Sequence, residues 1–326
     1  MEYNYVIIGS DMYYDVGYYD LKGLNNVCYF SSMYDKISSK LDKRLIRITF
    51  SKKANKIITN PFSFYTFPKL FPFLFNNNKP IVFLFFGNVQ YIYQSNYLRY
   101  LKKKYTNAKF VLYMQDIIAR NFDLNFNQVR NDFDLILSYD KGDCKKYNLL
   151  YYPTPYSNYP IIENSAIEPI DVFYCGYAKT RYKEIFRVYD QCSKMGLKCK
   201  FYITAVPLNE RIKSDDIIYD QPLAYIENLQ YVQKSKCILE VMQVNADGYT
   251  PRLWESIIYD KHLLTNNYAL QGSSFYKEKS MHQLSDIENI LSWINTPVNH
   301  TEDFKSSLSP INLLKYIDSL ILDRKK

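Results

Sequence analysis

Residues 237–267 read CILEVMQVNADGYTPRLWESIIYDKHLLTNN, and this stretch decides the expected fold. Its apolar start, CILEVMQ, has the character of a buried strand, and HLLTNN at its end reads as a second short strand. Between them a polar loop leads into a helix that Thr250 can cap, with Pro251 suited to the first helical position. The stretch therefore predicts a β–α–β unit, and the loop of such a unit is where ligands bind.

The start of this helix has chemistry suited to an anion. Free backbone N–H groups and the helix dipole favour negative charge there, and Arg252 adds a permanent cation. Glu255 follows three residues later and shares a face with Arg252. A cation at the helix tip and a carboxylate one turn deeper suit a phosphate attached to a sugar hydroxyl. An ordinary capped helix with a surface Arg–Glu pair explains the same pattern equally well.

Length and composition indicate a globular chain with more than one domain. The 326 residues suffice for two domains, and the contents of 47% hydrophobic and 23% charged residues are ordinary for globular proteins. The net charge of +8 permits acidic partners without requiring them. The six Cys form no CxxC pair, so we expect buried free thiols in a reducing cytoplasm.

Targeting signals are not expected. The start, MEYNYVIIGS, lacks the basic residues and longer apolar core of a signal peptide. The longest strongly apolar run, PIVFLFFG, is too short to span a bilayer as a helix. We therefore expect a cytoplasmic protein.

Strand-like and helical segments alternate along the chain, which predicts parallel sheets with helices on both faces. The predicted strands are residues 3–10, 44–50, 80–88, 109–116, 133–140, 171–178, 198–204 and 236–243, with the HLLTNN strand after them. The predicted helices are residues 91–105, 181–196, 224–235, the one beginning near residue 251, and 309–322.

The polar segment SNYPIIENSAIEP (157–169) carries two prolines and reads as an interdomain linker. We therefore expect one domain over residues 1–160, a second over 161–305 and a C-terminal helix over 306–326. Ligands of doubly wound sheets gather at the carboxyl ends of the strands, so the loops that follow the strands are the candidate site.

The second half carries a resemblance to a family. DVFYCGYAKTR, the helix AYIENLQYVQKS and the opening stretch are similar to GT-B glycosyltransferases of bacterial capsule, O-antigen and lipopolysaccharide synthesis. The similarity covers roughly residues 170–270, and the first half matches only in the order of its strands. The resemblance implies an α/β fold of two Rossmann-like, doubly wound domains facing across a cleft, with the acceptor on the N-terminal domain and the donor on the C-terminal one.

The family also implies roles for particular residues. A UDP- or GDP-sugar donor would lie in the second half, with its diphosphate at the Thr250–Arg252 helix tip and its ribose hydroxyls on Glu255. The whole implied donor-binding set is Gly176, Lys179, Arg181, Gly248, Tyr249, Thr250, Arg252 and Glu255. For Lys179 and Arg181, a solvated helix start is the alternative. No Glu stands eight residues before Glu255 and the loop is poor in glycine, so inverting and retaining stereochemistry both stay open.

An inverting transfer needs a general base for the acceptor hydroxyl. The three histidines all fall in the second half, and His262 at a strand start is interpreted as structural. We therefore expect the base to be a carboxylate of the first half, one of Asp11, Asp15 and Asp116, which follow predicted strands. Turn and capping roles are the alternative for each of them.

No metal ion and no cofactor are expected, because the resemblance implies a metal-independent hexosyltransferase. Asp132 and Asp134 precede a predicted strand and are interpreted as loop residues. Gly9 is not followed by the GxGxxG spacing of dinucleotide-binding enzymes. Two other hypotheses stay open: another sugar-nucleotide enzyme such as an epimerase, and a non-catalytic glycan- or nucleotide-binding module on a transferase-like fold.

The first half carries aromatic and basic residues that suit an acceptor side. Residues 61–80 are dense in Phe and Pro, and the predicted helix 91–105 ends with Arg99, Lys102, Lys103 and Lys104 among aromatic residues. Such a surface suits contact with the inner face of an anionic membrane that carries a glycan or lipid-linked acceptor, although the pattern itself favours an ordinary solvated face beside a Phe-rich core. Basic and aromatic residues also hold single-stranded nucleic acid, but no motif supports this, and we expect no nucleic-acid partner.

Overall fold

The computed structural model describes residues 1–9, 12–120, 126–161, 163–243 and 248–324. The chain divides into two compact units. Unit 1 comprises Met1–Ser157 together with Ser309–Lys326, and unit 2 comprises Asn158–Leu308. Each unit is built on a six-stranded sheet.

The strands are short and are divided equally between the two units. Those of unit 1 are β1 (Asn4–Ile8), β2 (Val27–Phe30), β3 (Ile81–Phe86), β4 (Lys109–Met114), β5 (Leu135–Ser138) and β6 (Leu150–Tyr151). Those of unit 2 are β7 (Ile170–Tyr177), β8 (Cys199–Thr204), β9 (Ile217–Tyr219), β10 (Ser235–Glu240), β11 (His262–Thr265) and β12 (Met281–Gln283).

The helices alternate with these strands. Before the second sheet come α1 (Met12–Gly17), α2 (Lys40–Thr49), α3 (Lys52–Asn55), α4 (Ser63–Thr66), α5 (Gln90–Tyr93), α6 (Asn96–Lys104), α7 (Phe126–Val129) and α8 (Lys141–Tyr147). After them come α9 (Tyr182–Lys194), α10 (Tyr225–Lys234), α11 (Pro251–Ile258), α12 (Ile290–Trp293), α13 (Glu302–Ser307) and α14 (Pro310–Asp323).

The sheet of unit 1 has the order β2-β1-β3-β4-β5-β6, and its neighbouring strands pair in parallel. Its central strands are buried almost throughout, as strands covered by helices on both faces must be. Phe83 of β3 pairs in register with Phe110 of β4, and their rings stack with centroids 5.2 Å apart. Aromatic packing of this kind explains where much of the Phe-rich composition of the first half is used.

The sheet of unit 2 has the order β9-β8-β7-β10-β11-β12. Counted within the unit, this is the 3-2-1-4-5-6 order of the Rossmann fold, and every neighbouring pair is parallel. The direction of winding reverses between β7 and β10, where Val172 pairs with Cys237. The carboxyl ends of these two strands therefore flank the position at which such sheets bind ligands.

Helix α14 belongs to unit 1 although it follows unit 2 in the chain. Ser309 caps it, since its Oγ accepts a hydrogen bond from the N–H of Ile311, and Pro310 occupies its first turn. Its apolar face, which includes Leu313 and Ile317, packs in one core cluster with β1. The Tyr5 hydroxyl on β1 donates to Asp318 Oδ1 at 2.5 Å, so the helix is also joined to the strand by a buried polar contact.

The fold class predicted from the sequence is confirmed: both units are Rossmann-like and doubly wound. One element was wrong. Residues 44–50, predicted as a strand, form the second half of helix α2. The cap explains the difference, because Ser39 Oγ accepts from the N–H of Asp42 and starts a helix in which Ile46 and Thr49, three residues apart, face inward.

Other differences concern short elements. The single helix predicted over residues 91–105 is two helices, because Ser95 begins a new one by accepting the N–H of Tyr97 on its Oγ. Strands β2, β6, β9 and β12 were not predicted, since each has only two to four residues. All four lie at sheet edges, where a half-buried strand lacks a strong apolar pattern.

The six cysteines are free thiols, as expected. Cys192, Cys199 and Cys237 are buried, whereas Cys28, Cys144 and Cys175 are half-buried. Among the described residues, no helix combines the length and apolar character needed to cross a membrane.

Candidate functional site

A cavity of about 280 Å³ lies in unit 2 at the point where the strand order reverses. Its walls are residues 174–177 at the end of β7 and residues 239–243 at the end of β10. The turn after β7 contributes Lys179 and Arg181, and the start of α11 contributes Thr250 and Arg252. The cavity thus brings together the two stretches of sequence that were singled out for charge, although about 70 residues separate them.

Two arginines are fixed in the wall of this cavity. The Arg181 guanidinium donates to the carbonyl oxygens of Val241 and Tyr177, and its Nε donates to that of Ala178 at 3.2 Å. The Arg252 guanidinium donates to the carbonyl oxygen of Cys175. Because these carbonyls belong to β7, its following turn and the segment after β10, both positive charges are held at the carboxyl edge of the sheet.

At the end of β7 and in the turn after it, the backbone lies close to neighbouring side chains and adopts an uncommon conformation. A Cβ atom at Gly176 would lie 3.3 Å from Tyr174 Oη, which is a tight contact, and 3.5 Å from Arg252 Nη2, which is an ordinary van der Waals contact. Lys179 adopts a left-handed backbone conformation with φ of 49°, which is uncommon for a residue with a side chain. Such conformations are concentrated at functional sites.

A buried carboxylate that was not predicted fixes the start of α11. Glu240 ends β10 and is 3% exposed, and its carboxylate accepts from the hydroxyls of Thr250 and Thr265. Burial raises the pKa of Glu240, while the two hydroxyls and Arg252 act in the opposite direction. The signal was present in the sequence as a single acidic residue within the apolar run CILEVMQ, where burial of a charge requires partners.

Glu255 lies one turn into α11 and is 1% exposed. Its Oε1 accepts from the hydroxyl of Tyr225 at 2.7 Å and from Asn228 Nδ2 at 3.3 Å, and both donors belong to α10. Burial raises the pKa of Glu255, and Arg252 is the largest influence in the other direction. For Arg252 burial lowers the pKa, but the Glu255 carboxylate and other neighbours leave it above its ordinary value, so the guanidinium stays charged.

The predicted donor-binding residues are therefore divided. Gly176, Lys179, Arg181, Thr250 and Arg252 line the cavity. Gly248 and Tyr249 precede α11 outside the lining, and so does the buried Glu255 behind it. The Gly248 carbonyl accepts from Asn267 Nδ2 at 3.1 Å, which ties the loop to the segment after β11.

The Tyr249 ring is part of a separate aromatic cluster. Its centroid lies 5.6 Å from that of Trp254 and 5.3 Å from that of Phe275, in edge-to-face contacts. The ring thus packs against the side of α11, where it supports the helix.

The predicted base candidates lie in unit 1 or outside the described residues. Asp11 is not among the described residues. Asp15, in α1, has a carboxylate oxygen 4.0 Å from Lys22 Nζ. Asp116 follows β4, is exposed, and accepts the N–H of Ile117 on its Oδ1 at 2.8 Å. A carboxylate missed in the sequence, Asp143, is buried beside this loop and accepts the N–H of Ile118, and its burial raises its pKa.

His262 has the structural role expected of it. Its ring is 1% exposed, with Nδ1 lying 3.2 Å from His282 Nε2 and Nε2 lying 3.0 Å from the Thr296 carbonyl oxygen.

Asp134 accepts from the N–H of Phe110 and from Lys109 Nζ, and Asp132 forms an exposed ion pair with Lys102. Within the part of the chain that the structure describes, no group of three or more His, Cys, Asp or Glu side chains is arranged to hold a metal ion.

No family model matches the sequence, and no curated protein matches it. Solved structures do match it over most of the chain. An alpha-glucosyltransferase in complex with UDP and a 13-mer DNA containing a central A:G mismatch is 12% identical, with 89% of each chain covered and a TM-score of 0.52. The alpha-glucosyltransferase with UDP and a 13-mer DNA containing an HMU base is 11% identical, with the same coverage and TM-score. A UDP-forming trehalose-phosphate synthase from Burkholderia xenovorans is 9% identical, covering 94% of this chain and 93% of its own, with a TM-score of 0.46.

The likeness to the alpha-glucosyltransferase structures establishes the fold: the two Rossmann-like units have the GT-B fold of glycosyltransferases. It also corrects one prediction. The expected exclusion of nucleic acid was wrong, because the matching alpha-glucosyltransferase structures contain DNA beside UDP. The absence of a recognised nucleic-acid motif in the sequence was therefore not sufficient ground for that exclusion.

Proposed function

We propose that the chain is a glycosyltransferase that takes a sugar from a UDP- or GDP-sugar held by unit 2 and transfers it to an acceptor hydroxyl. The supporting observation is the cavity at the β7–β10 reversal, with Arg181 and Arg252 anchored in its wall. The diphosphate lies between the two guanidiniums and near the first N–H groups of α11 in this proposal, and Lys179 adds a further positive charge.

This arrangement suits the chemistry of glycosyl transfer. The bond from the sugar to the nucleoside diphosphate breaks, and negative charge grows on the leaving phosphate oxygen. Positive groups that are already in position stabilise that charge without reorganising during the reaction. The bond from Arg252 to the Cys175 carbonyl uses one of five N–H donors, so the guanidinium can hold a phosphate oxygen while it stays anchored.

The geometry of Glu255 is compatible with two different roles in this proposal. Its predicted contact with the ribose hydroxyls would require the carboxylate to give up or share its bonds to Tyr225 and Asn228. Its geometry also supports a positioning role, in which its charge holds the Arg252 guanidinium protonated and in place. The two roles differ in what they predict for ligands with and without a ribose.

The sequence resemblance supports four further proposals. The donor carries a hexosyl group, and transfer needs no bound metal. The general base is Asp11, Asp15 or Asp116, and the acceptor is a glycan or lipid-linked acceptor in surface-polysaccharide synthesis.

The test is calorimetry with UDP, GDP and their glucose, galactose, N-acetylglucosamine or mannose conjugates, followed by an assay for nucleotide release. One donor is expected to bind, and its nucleotide is expected to be released when an acceptor is present. Failure of all of them to bind would overturn the proposal. A donor recovered as its epimer would identify an epimerase, and binding without turnover would identify a binding module.

Nucleic acid is a second candidate for the acceptor, and the distribution of charge favours it. Unit 1 has 25 Lys and Arg against 14 Asp and Glu, a net +11, whereas unit 2 has 16 against 19, a net −3. A basic acceptor unit suits a phosphate backbone, and the matching alpha-glucosyltransferase was solved with DNA. The test is sugar transfer to a duplex with hydroxymethylated bases, which offer a hydroxyl, against the same duplex without them. Transfer to neither would remove this candidate.

A further inference from the structure

Unit 1 contains a larger cavity, of about 520 Å³, that no part of the proposed donor site uses. It is bounded by the end of α2, by residues 52–60 and by residues 88–96 after β3. Its volume falls within the range of small-molecule sites, roughly 300–1,000 Å³.

The lining of this cavity is unusually rich in side-chain amides. Of its eleven lining residues, six are Asn or Gln: Asn55, Asn60, Asn88, Gln90, Gln94 and Asn96. Lys52 is the one charged side chain among these described lining residues. An amide offers two N–H donors and one carbonyl acceptor, which is the complement of two neighbouring hydroxyl groups, each both donor and acceptor.

The amide wall is built on a fixed backbone. Asn60 has a left-handed conformation with φ of 47°, its Nδ2 donates to the Thr49 carbonyl at 3.1 Å, and its Oδ1 accepts the N–H of Asn96 at 3.1 Å. Asn55 Nδ2 donates to the carbonyls of Thr49 and Ser51, and Asn55 Oδ1 accepts the N–H of Asn60 at 2.6 Å. Residues 49–60 are therefore held in one arrangement and joined to Asn96, 36 residues further on, so the shape of the cavity is set before a ligand arrives.

An aromatic pair completes the lining. The Tyr91 ring is 39% exposed and stands edge-on to Phe50, with centroids 6.2 Å apart at an interplanar angle of 82°. Burial raises the pKa of Tyr91 to about 12, so its hydroxyl keeps its proton at neutral pH. The pair offers an apolar face with a polar tip, to which the C–H face of a sugar ring can pack.

The location also suits a ligand. Asn88 and Gln90 follow β3, at the carboxyl edge of the sheet. In the order β2-β1-β3-β4, the winding direction reverses between β1 and β3, so the loop after β3 borders the position where doubly wound sheets bind ligands.

We propose that this cavity binds an uncharged sugar ring through the amides around Asn88 and the face of Tyr91. A phosphate or nucleotide would find Lys52 as the one cation among the described lining residues, and a purely apolar ligand would not match a lining in which six of eleven residues carry amides. Binding of the ring stands on the cavity alone. Its use as the acceptor glycan rests on the glycosyltransferase function proposed above.

The test is saturation-transfer NMR on the full chain without any nucleotide, using the methyl glycosides of glucose, galactose, mannose and N-acetylglucosamine. At least one glycoside is expected to bind at millimolar concentration, and cyclohexanol, a ring without neighbouring hydroxyls, is expected not to. Tyr91→Ala and Asn88→Ala should each weaken that binding by about tenfold, the equivalent of one lost net contact. Tyr91→Phe, which keeps the ring, should weaken it by less than about threefold.

Tyr268→Ala is the matched control, since Tyr268 is 64% exposed and lies in unit 2. It should bind the glycoside as the wild type does. The proposal is overturned if no glycoside binds, if cyclohexanol binds equally well, or if both Tyr91→Ala and Asn88→Ala, folded by circular dichroism, bind unchanged. Because no nucleotide is present, this result is separate from the calorimetry of unit 2: loss of sugar binding leaves the donor site standing, and loss of nucleotide binding leaves this cavity standing.

Discussion

The two units share one architecture and differ in where their charge lies. Unit 1 is net +11 and unit 2 is net −3, yet the geometry suited to a diphosphate is found in unit 2. The larger cavity of the basic unit is lined mainly by neutral amides. Local geometry therefore decides what a site can hold: two guanidiniums anchored at a strand reversal form the proposed anion site within an acidic unit. Net charge instead governs long-range attraction of a partner.

The largest expected effect follows from Arg252→Ala, which would break the anion site of unit 2. Loss of one charged contact should weaken binding of the preferred nucleoside diphosphate by about 1.5–3 kcal/mol, measured by calorimetry. Arg252→Lys should recover part of the loss, because a lysine keeps the charge but not the planar fork. Glycoside binding in unit 1 should be unchanged.

Arg187→Ala is the control for that substitution. Arg187 lies in the same unit but pairs with Glu184 on the exposed face of α9. If it lowers nucleotide affinity as much as Arg252→Ala does, general charge rather than the cavity holds the nucleotide, and the contrast between the two units fails.

The second prediction concerns pH, and it separates the units because all three histidines lie in unit 2. Burial lowers the pKa of His262, His282 and His300, with that of His282 lowered to about 4. When a histidine has a lower pKa in the folded chain than in the unfolded chain, a fall in pH protonates it in the unfolded chain first. Its contribution to stability is therefore complete above about pH 6.5 and is lost as the pH falls towards 4.

For His282 this loss should be on the order of 2 kcal/mol at pH 5. Both tryptophans lie in unit 2, so urea unfolding followed by tryptophan emission at pH 7 and pH 5 measures that unit. The buried carboxylates Glu240 and Glu255 act in the opposite direction, because burial raises their pKa. The decisive quantity is thus the difference between wild type and His282→Gln: the variant should lose less stability between the two pH values. An identical loss in both would contradict the assignment.

The contrast between the units also explains how much could be predicted from sequence. In unit 2 each signal was local: Thr250 and Pro251 marked the start of α11, and a charged residue stood beside it. Thr250 and Arg252 were predicted from that signal, whereas Gly176, Lys179 and Arg181 were implied by the resemblance to glycosyltransferases, and all five line the cavity.

In unit 1 the amide cavity joins residues 50–60 to residues 88–96, and Asn55, Asn60 and Asn88 each read alone as an ordinary turn residue in an Asn-rich chain. Its construction depends on α2, and the second half of α2 was predicted as a strand. Glu240 was visible as a lone acidic residue in the apolar run CILEVMQ, but its role was missed because its partners Thr250 and Thr265 lie 10 and 25 residues away. Contacts between distant segments leave little trace in local pattern.

A smaller effect, about 1 kcal/mol, is expected for Glu255→Gln. If Glu255 contacts the ribose, the variant should bind UDP or GDP less well while its affinity for inorganic pyrophosphate is kept, because a carboxylate accepts from hydroxyls and only repels pyrophosphate. If Glu255 acts by positioning Arg252, both ligands should lose affinity equally. Calorimetry with the two ligands decides between these roles, and no change for either would exclude both.

The smallest effect is expected on the basic side of unit 1, at the last turn of α6. Lys102 is paired with Asp132, and Lys104 lies over the Tyr105 ring with its Nζ 5.2 Å from the centroid, so part of this charge is already engaged. Exposed pairs of this kind are weak and are screened by salt. Replacing Lys102, Lys103 and Lys104 with Gln should therefore weaken binding to a DNA duplex by only a few-fold. It should lower the slope of log affinity against log salt by about 1–2.

The same triple variant distinguishes the partners considered for unit 1. Sedimentation with anionic vesicles tests the predicted membrane contact, and the duplex titration tests nucleic acid. The control replaces Lys194, Lys198 and Lys200 of unit 2 with Gln, which removes the same amount of positive charge. Lys194, like Lys102, is paired with an aspartate. A loss confined to the α6 variant would assign the partner, duplex or vesicle, to the basic unit. Equal losses would mean that the net charge of the whole chain attracts the polyanion. In that case unit 1 would have no special part in binding the acceptor.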